Sequence, residues 1–185
     1  PMTGWDRAMW HDHTGLVFRK PSPNMPDLET ATVYPGLCLL EGTNVSEGRG
    51  TTMPFRQFGA PWIDGAKLAA RLNGLNLTGL KFHATTFTPT ASKHQGLLCS
   101  GVRIEVTDRD RLEPFWSGVR IINEIARMAP EKFEWRADHF DRLCGTAAIR
   151  EAIANRELLP PLCEKYRADC ESFQRISRPH LLYPD

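Results

Sequence analysis

The spacing of apolar residues along this chain changes register several times, and each change marks an element. From Gly101 to Thr107 the apolar residues Val102, Ile104 and Val106 alternate with Arg103, Glu105 and Thr107, the period of two expected of a half-buried strand. Leu80 to Phe87 is rich in aromatic and β-branched residues and reads as its partner, with the polar loop Pro89 to Gly96 between them. From Glu113 to Ala129 the spacing becomes helical. Leu112, Phe115, Trp116, Val119, Ile122 and Ala126 form an apolar stripe, Arg120, Glu124 and Arg127 mark the wet face, and Pro130 stops the helix. A shorter helix is expected from Asp64, as cap, to about Asn73, with Leu68, Ala69 and Leu72 inward and Gly74 as the stop. Thr146 is placed to cap another, to about Asn155. A last helix from Pro161 to Ile176 should pack through Leu162, Cys163, Tyr166, Cys170 and Phe173. The short apolar run Val33 to Leu40 reads as a strand. Residues 1–34 read as irregular, because Pro21, Pro23, Pro26 and Pro35 oppose long helices and Ser22-Pro23-Asn24 suggests a turn. The expected architecture is a small mixed sheet with several packed helices, α+β or α/β.

Composition narrows the function classes. The chain has 185 residues, enough for a sizeable core, and 23 Lys+Arg stand against 22 Asp+Glu with no run of like charge. A general affinity for nucleic acid or an anionic membrane is therefore not expected. Its apolar runs are far too short to span a membrane. The opening Pro1-Met2-Thr3-Gly4-Trp5 reads as the interior of a longer protein, so the lack of a leader says nothing about location. Five cysteines, Cys38, Cys99, Cys144, Cys163 and Cys170, form no C-x-x-C pair, and a zinc cage is not expected. Cys163 and Cys170 on one helix lie too far apart to bridge each other. Most of the five read as small apolar core residues.

The densest chemistry lies in Glu41-Gly42-Thr43-Asn44-Val45-Ser46-Glu47-Gly48-Arg49-Gly50-Thr51-Thr52. Two carboxylates, one guanidinium, one amide, four hydroxyls and three glycines follow directly on an apolar run. Glycines let a backbone come close to something, so this reads as a ligand or catalytic loop; a tight turn whose polar groups satisfy one another is the alternative. Glu41 and Glu47 could line one cleft, and paired carboxyl groups are the working parts of most glycosidases, one of them kept protonated as the acid. The same residues read equally well as structural, with Glu47 paired to Arg49. A nucleotide nest is a weaker reading, because no lysine accompanies the glycines and Met53-Pro54 interrupts the helix that should follow.

Elsewhere the signals are thinner. Trp5-Asp6-Arg7 and Trp10-His11-Asp12-His13 could offer a sugar-stacking surface, but two histidines without a third ligand argue against a metal site. Asn24 could position a polar ligand or close an Asx-turn. His83 reads as a hydrogen-bonding strand residue, and Lys93 and His94 as loop residues facing substrate or water.

Taken together, Ser22-Pro23-Asn24-Met25-Pro26, Tyr34-Pro35-Gly36, the whole 41–52 block, Pro54-Phe55, Gly59-Ala60-Pro61-Trp62, Phe87-Thr88-Pro89-Thr90, Cys99-Ser100-Gly101-Val102, Leu143-Cys144-Gly145-Thr146 and Leu181-Leu182-Tyr183 resemble the NamZ family of peptidoglycan exo-β-N-acetylmuramidases. The resemblance implies a Rossmann-like N-terminal domain followed by a smaller C-terminal one, in a secreted or periplasmic enzyme that releases terminal N-acetylmuramic acid. A full member is about twice this long. The resemblance thus implies that residues 1–34 end the upstream domain and residues 35–185 form the C-terminal α+β domain carrying the 41–52 loop. On this reading Glu41 and Glu47 are the catalytic candidates, and Asn24, Asn44, Ser46, Arg49 and Thr51 the substrate-binding ones. Arg49 would meet the lactyl carboxylate, and no metal or organic cofactor follows from the chemistry. The implied partners are a peptidoglycan-derived glycan and the upstream domain of the same polypeptide. A non-catalytic glycan-binding or scaffold domain is the rival. Retaining and inverting mechanisms both fit, since the carboxyl separation decides between them, and participation by the substrate's own acetamido group stays open as an exception to the two-carboxylate scheme.

Overall fold

The computed structural model describes residues 1–183. Its elements are α1 (Leu28–Leu37), β1 (Gln57–Ala60), α2 (Gly65–Gly74), β2 (Leu80–Phe87), β3 (Cys99–Val106), α3 (Pro114–Met128), α4 (Ala137–Cys144), α5 (Ala148–Ala154) and α6 (Leu159–Ser177), with short 3₁₀ turns at His11–Thr14, Cys38–Gly42 and Arg178–His180. The fold is α+β. The three strands form an antiparallel sheet in the order β1-β3-β2, so β3 is central. Ile104 sits opposite Phe82, and Val102 lies between Phe58 and Ala84. Val102 and Ile104 are fully buried, as the alternation requires, whereas Val106 at the strand end is only half-buried. No helix among the described residues is long and apolar enough to cross a membrane.

Several expected elements are present. Asp64 caps α2 by accepting from Lys67 N, and Leu68, Ala69 and Leu72 face inward. Thr146 Oγ1 accepts from Ala148 N at the start of α5.

Five expectations need correction. Val33 to Leu40 is helical: Asp27 accepts from Thr30 N and starts α1, which runs into the Cys38–Gly42 turn. Val33 and Leu37, four residues apart, share the buried face, and Pro35 falls on the exposed side two residues before the helix ends. α1 also occupies the end of the stretch expected to be irregular, and one continuous helix spans residue 34. The sheet contains no parallel pair among the described residues.

The α3 stripe is rotated from the one the aromatics suggest. Gly118, Ile121, Ile122 and Ile125 are buried together with Ser117 and Val119, while Phe115, Trp116 and Ala126 lie at the rim. The cause is the crossing with α1. A Cβ on Gly118 would stand 2.3 Å from Gly36 O, and one on Gly36 would stand 1.9 Å from Pro114 O. The two backbones touch there, and the isoleucines one turn further fill the space beneath. Finally, α6 has only Cys163 buried, with Leu162 and Tyr166 at the edge; Cys170 and Phe173 are exposed, because the helix outruns the elements beneath its first turns. β1 and α4 were not expected at all.

Two predictions follow for urea denaturation. Ile104→Ala should cost about 2–5 kcal/mol through the cavity it leaves. Gly118→Ala should cost about 1–3 kcal/mol by forcing the helices apart. Gly74→Ala, with nothing within 4 Å of the added methyl, should stay within about 0.5 kcal/mol or stabilise. Equal effects at Gly118 and Gly74 would refute the close helix crossing.

Candidate functional site

The 41–52 loop is stitched down on both flanks. Ser46 and Gly59 exchange backbone hydrogen bonds of 2.9 and 3.0 Å, which extends the sheet past the free edge of β1. On the other flank Asn44 N donates to Glu134 O at 3.0 Å and Arg136 N to Gly42 O at 2.8 Å. Gly48 and Gly50 both adopt left-handed backbone, φ +77° and +76°, and an added Cβ would collide with Gln57 O at 2.5 Å and Ala91 N at 2.4 Å. Those two turns bring Glu47 and Arg49 back over the start of the loop.

Four charges converge there. Glu47 Oε1 lies 3.1 Å from Arg49 Nε, and Glu47 Oε2 lies 2.8 Å from Lys93 Nζ. The second contact is an ion pair outside hydrogen-bond alignment, so Oε2 is buried without a hydrogen-bond partner. Lys93 Nζ directs its hydrogen bonds to Leu40 O and Thr43 O, at 2.8 and 3.0 Å. The β2–β3 loop is pinned further by His94 Nε2, 2.8 Å from Asn44 O, and by Thr90, which donates twice to Gly50 O. Arg49 also reaches outward: Nη2 donates to Glu41 Oε1 at 2.9 Å, and its guanidinium lies 5.0 Å from the centre of the Phe55 ring. Tyr34 packs edge-on against Phe55, and His139 of α4 stands 3.8 Å from Glu41 Oε2.

Burial divides this cluster into two layers. The Glu47 and Lys93 side chains are 2% and 8% exposed, whereas Glu41 and Arg49 are 20% and 29% exposed. Burial pulls the Lys93 pKa below the usual lysine value, against the raising effect of Glu47, and the Arg136 charge adds to the lowering. Burial pushes Tyr34 upward, assisted by Cys38 and Glu41, so it remains a phenol. The Cys38 and Cys144 thiols are each pushed up to about 11, by burial first and then by Glu41 and Asp141 respectively. Neither thiol is a nucleophile near neutral pH.

The expected site residues fall into distinct groups. Glu41, Glu47 and Arg49 do come together. Asn44 spans the loop to the 132–134 segment, with Nδ2 donating to Lys132 O and Oδ1 accepting from Glu134 N. Ser46 Oγ accepts from Gly48 N. Thr51 Oγ1 donates to Gly48 O and accepts from Met53 N and Gln57 Nε2. These three side chains spend their hydrogen bonds within the fold, on the loop and the segments beside it. Asn24 sits in its turn, N–H to Ser22 Oγ, without a side-chain hydrogen bond among the described residues. Of the outlying histidines, His11 packs against Phe18, His13 meets Arg109 and His83 pairs with Glu105. Sequence reasoning missed the burial of Lys93 and the presence of His139. The proline, glycine and polar residues around Lys93 resemble any solvated loop, and α4 itself was not foreseen.

The buried pair generates a prediction for equilibrium unfolding. Lys93→Met should cost about 3–5 kcal/mol, because it strands the Glu47 carboxylate in the interior. The Glu47→Leu/Lys93→Met double variant should lose clearly less than the sum of the two single losses. Strict additivity would show that the two charges do not interact. Lys93 also gives a sign for pH dependence: its folded pKa lies below the unfolded one, so protonation favours the unfolded chain, and its penalty should fade as pH rises through that interval towards 10.5.

Residues 32–183 match the family described as exo-beta-N-acetylmuramidase NamZ, C-terminal. The peptidoglycan beta-N-acetylmuramidase NamZ of Bacillus subtilis (strain 168) is 45% identical over 183 residues, which are 98% of this chain and 44% of that protein. Two solved DUF1343 family proteins of Bacteroides fragilis share the fold at 28% identity. One has a TM-score of 0.89 over 97% of this chain and 49% of its own, the other 0.65 over 90% and 44%. The chain thus spans less than half the length of these relatives. It belongs to the NamZ family, in the part that forms the family's C-terminal domain.

Proposed function

We propose that this chain is the C-terminal part of a glycoside hydrolase that releases terminal N-acetylmuramic acid from the non-reducing end of peptidoglycan fragments. It works with an upstream Rossmann-like domain of the same polypeptide, which the residues before α1 complete, in the periplasm or outside the cell. The relative's printed activity and 45% identity support the reaction class. The observation that carries the reading into this half is the outward-facing edge formed by Glu41, Arg49 and His139 on a loop fixed from beneath by Glu47 and Lys93.

Burial supports a division of roles. A general acid must reach the glycosidic oxygen, and partly exposed Glu41 can do so while Glu47 cannot. Glu41 is therefore the acid or an orienting carboxylate on the sugar, and Glu47 positions Arg49 and Lys93. Arg49 presents a planar fork suited to the lactyl carboxylate, the group that distinguishes muramic acid from N-acetylglucosamine. Asn44, Ser46 and Thr51 act through the loop shape they hold. Their internal hydrogen bonds are also what the rival scaffold reading would require, so kinetics must separate the two.

In the full-length protein acting on a chromogenic β-muramide, Glu41→Gln should lower kcat by about 10²–10⁴-fold with little change in melting temperature. Arg49→Lys should narrow the preference for the muramide over the matching β-N-acetylglucosaminide by about tenfold or more. Residues 1–185 alone should show no appreciable hydrolysis. Wild-type turnover in Glu41→Gln, or equal losses on both substrates with a lower melting temperature in Arg49→Lys, would favour the scaffold reading. Robust turnover by the isolated chain would remove the need for an upstream domain.

A further inference from the structure

A polar concavity lies where the α2–β2 turn, the start of α3 and the flank of α6 meet. It encloses about 320 Å³ and is lined by Asn76, Leu77, Thr78, Arg111, Glu113, Trp116, Ser117, Arg120 and Arg167. None of these residues belongs to the 41–52 loop or its supports. Three guanidinium groups face one carboxylate, and that carboxylate is already engaged: Arg167 Nη2 donates to Glu113 Oε1 and Oε2 at 2.6 and 2.8 Å. Arg111 and Arg120 have no ion pair or side-chain hydrogen bond among the described residues. The cavity wall therefore carries an excess of positive charge that no ion pair among the described residues neutralises.

The start of α3 adds donors. Glu113 occupies its N-cap position, but no side chain caps the helix, since the Glu113 carboxylate turns to Arg167. Ser117 N reaches Glu113 O, and Pro114 has no N–H to offer. The N–H groups of Phe115 and Trp116 are left without an intrahelical acceptor, at the positive end of a 15-residue helix. An independent feature points the same way. Ser117 is 5% exposed and lines the cavity, yet its hydroxyl makes no hydrogen bond among the described residues. The hydroxyl is free to donate to an acceptor placed in the cavity. The half-buried Trp116 ring, edge-on to Phe115, completes the wall.

We propose that this cavity binds an oxyanion of charge two or more, a phosphoryl group or a pair of carboxylates, held by Arg111 and Arg120, by the first turn of α3 and by the Ser117 hydroxyl. Two free guanidinium forks match the several acceptor oxygens of such a group, and helix N-termini are recurrent anion sites. The proposal is independent of the glycosidase reading, because it shares no residue with that site.

The test is titration calorimetry of the full-length protein with inorganic phosphate and, separately, with tricarballylate, at constant ionic strength set by chloride. Saturable binding of at least one probe is expected. Phosphate alone would identify a phosphoryl site, and tricarballylate alone a carboxylate site. Arg111→Ala and Arg120→Ala should each weaken binding about tenfold or more. Their melting temperatures should stay at the wild-type value, since neither guanidinium has an ion pair or side-chain hydrogen bond among the described residues. Lack of saturable binding by either probe up to ~10 mM, or binding that both variants retain undiminished, would overturn the proposal.

Discussion

The buried contact between Glu47 and Lys93 governs the rest of this structure. It joins two loops distant in sequence, the block after the Cys38–Gly42 turn and the β2–β3 connection, at a point where water is largely excluded. Such a pair is not a simple source of stability. Desolvating two ions costs several kcal/mol each, and only good geometry with further hydrogen bonds offsets that. Lys93 shows the balance directly, since burial lowers its pKa despite a carboxylate 2.8 Å away. What the pair supplies is registration. With Nζ held between Leu40 O, Thr43 O and Glu47, the backbone before and after Glu41 can take few other paths.

From that anchor the outer layer follows. Glu47 holds the Arg49 Nε with its other oxygen, which aims the far end of the guanidinium at Glu41 and lays its plane near Phe55. The loop is also part of the sheet: its Ser46–Gly59 bonds cover the edge that β1 would otherwise expose. A cluster on so rigid a frame is pre-ordered, which would hold the proposed recognition of a charged sugar to little entropic cost.

The legible parts of the fold were those with strong local signals. Alternation revealed β3 and its pairing with β2, and Asp64 with its apolar i, i+4 residues revealed α2. The run from Val33 to Leu40 failed because a short apolar stretch has no distinguishing period, and the deciding signal was a cap six residues earlier, at Asp27. α3 was found but misoriented: bulky Phe115 and Trp116 outweighed Gly118, whose lack of a side chain is what lets α1 approach. At the site, Glu41, Glu47 and Arg49 were legible as a cluster because they sit within one block. Lys93 and His139 were not, since their proximity is created only by tertiary folding. Nor could composition show that Asn44, Ser46 and Thr51 would spend their hydrogen bonds within the fold.

The central claim is that a buried Glu47–Lys93 pair presents Glu41 and Arg49 to a muramyl ligand. Its most direct test is a crystal structure of the full-length protein with N-acetylmuramic acid bound. The account predicts the lactyl carboxylate within hydrogen-bond distance of Arg49, Glu41 on the sugar, and Glu47 still against Lys93. A sugar seated with no contact to Glu41 or Arg49 would contradict it.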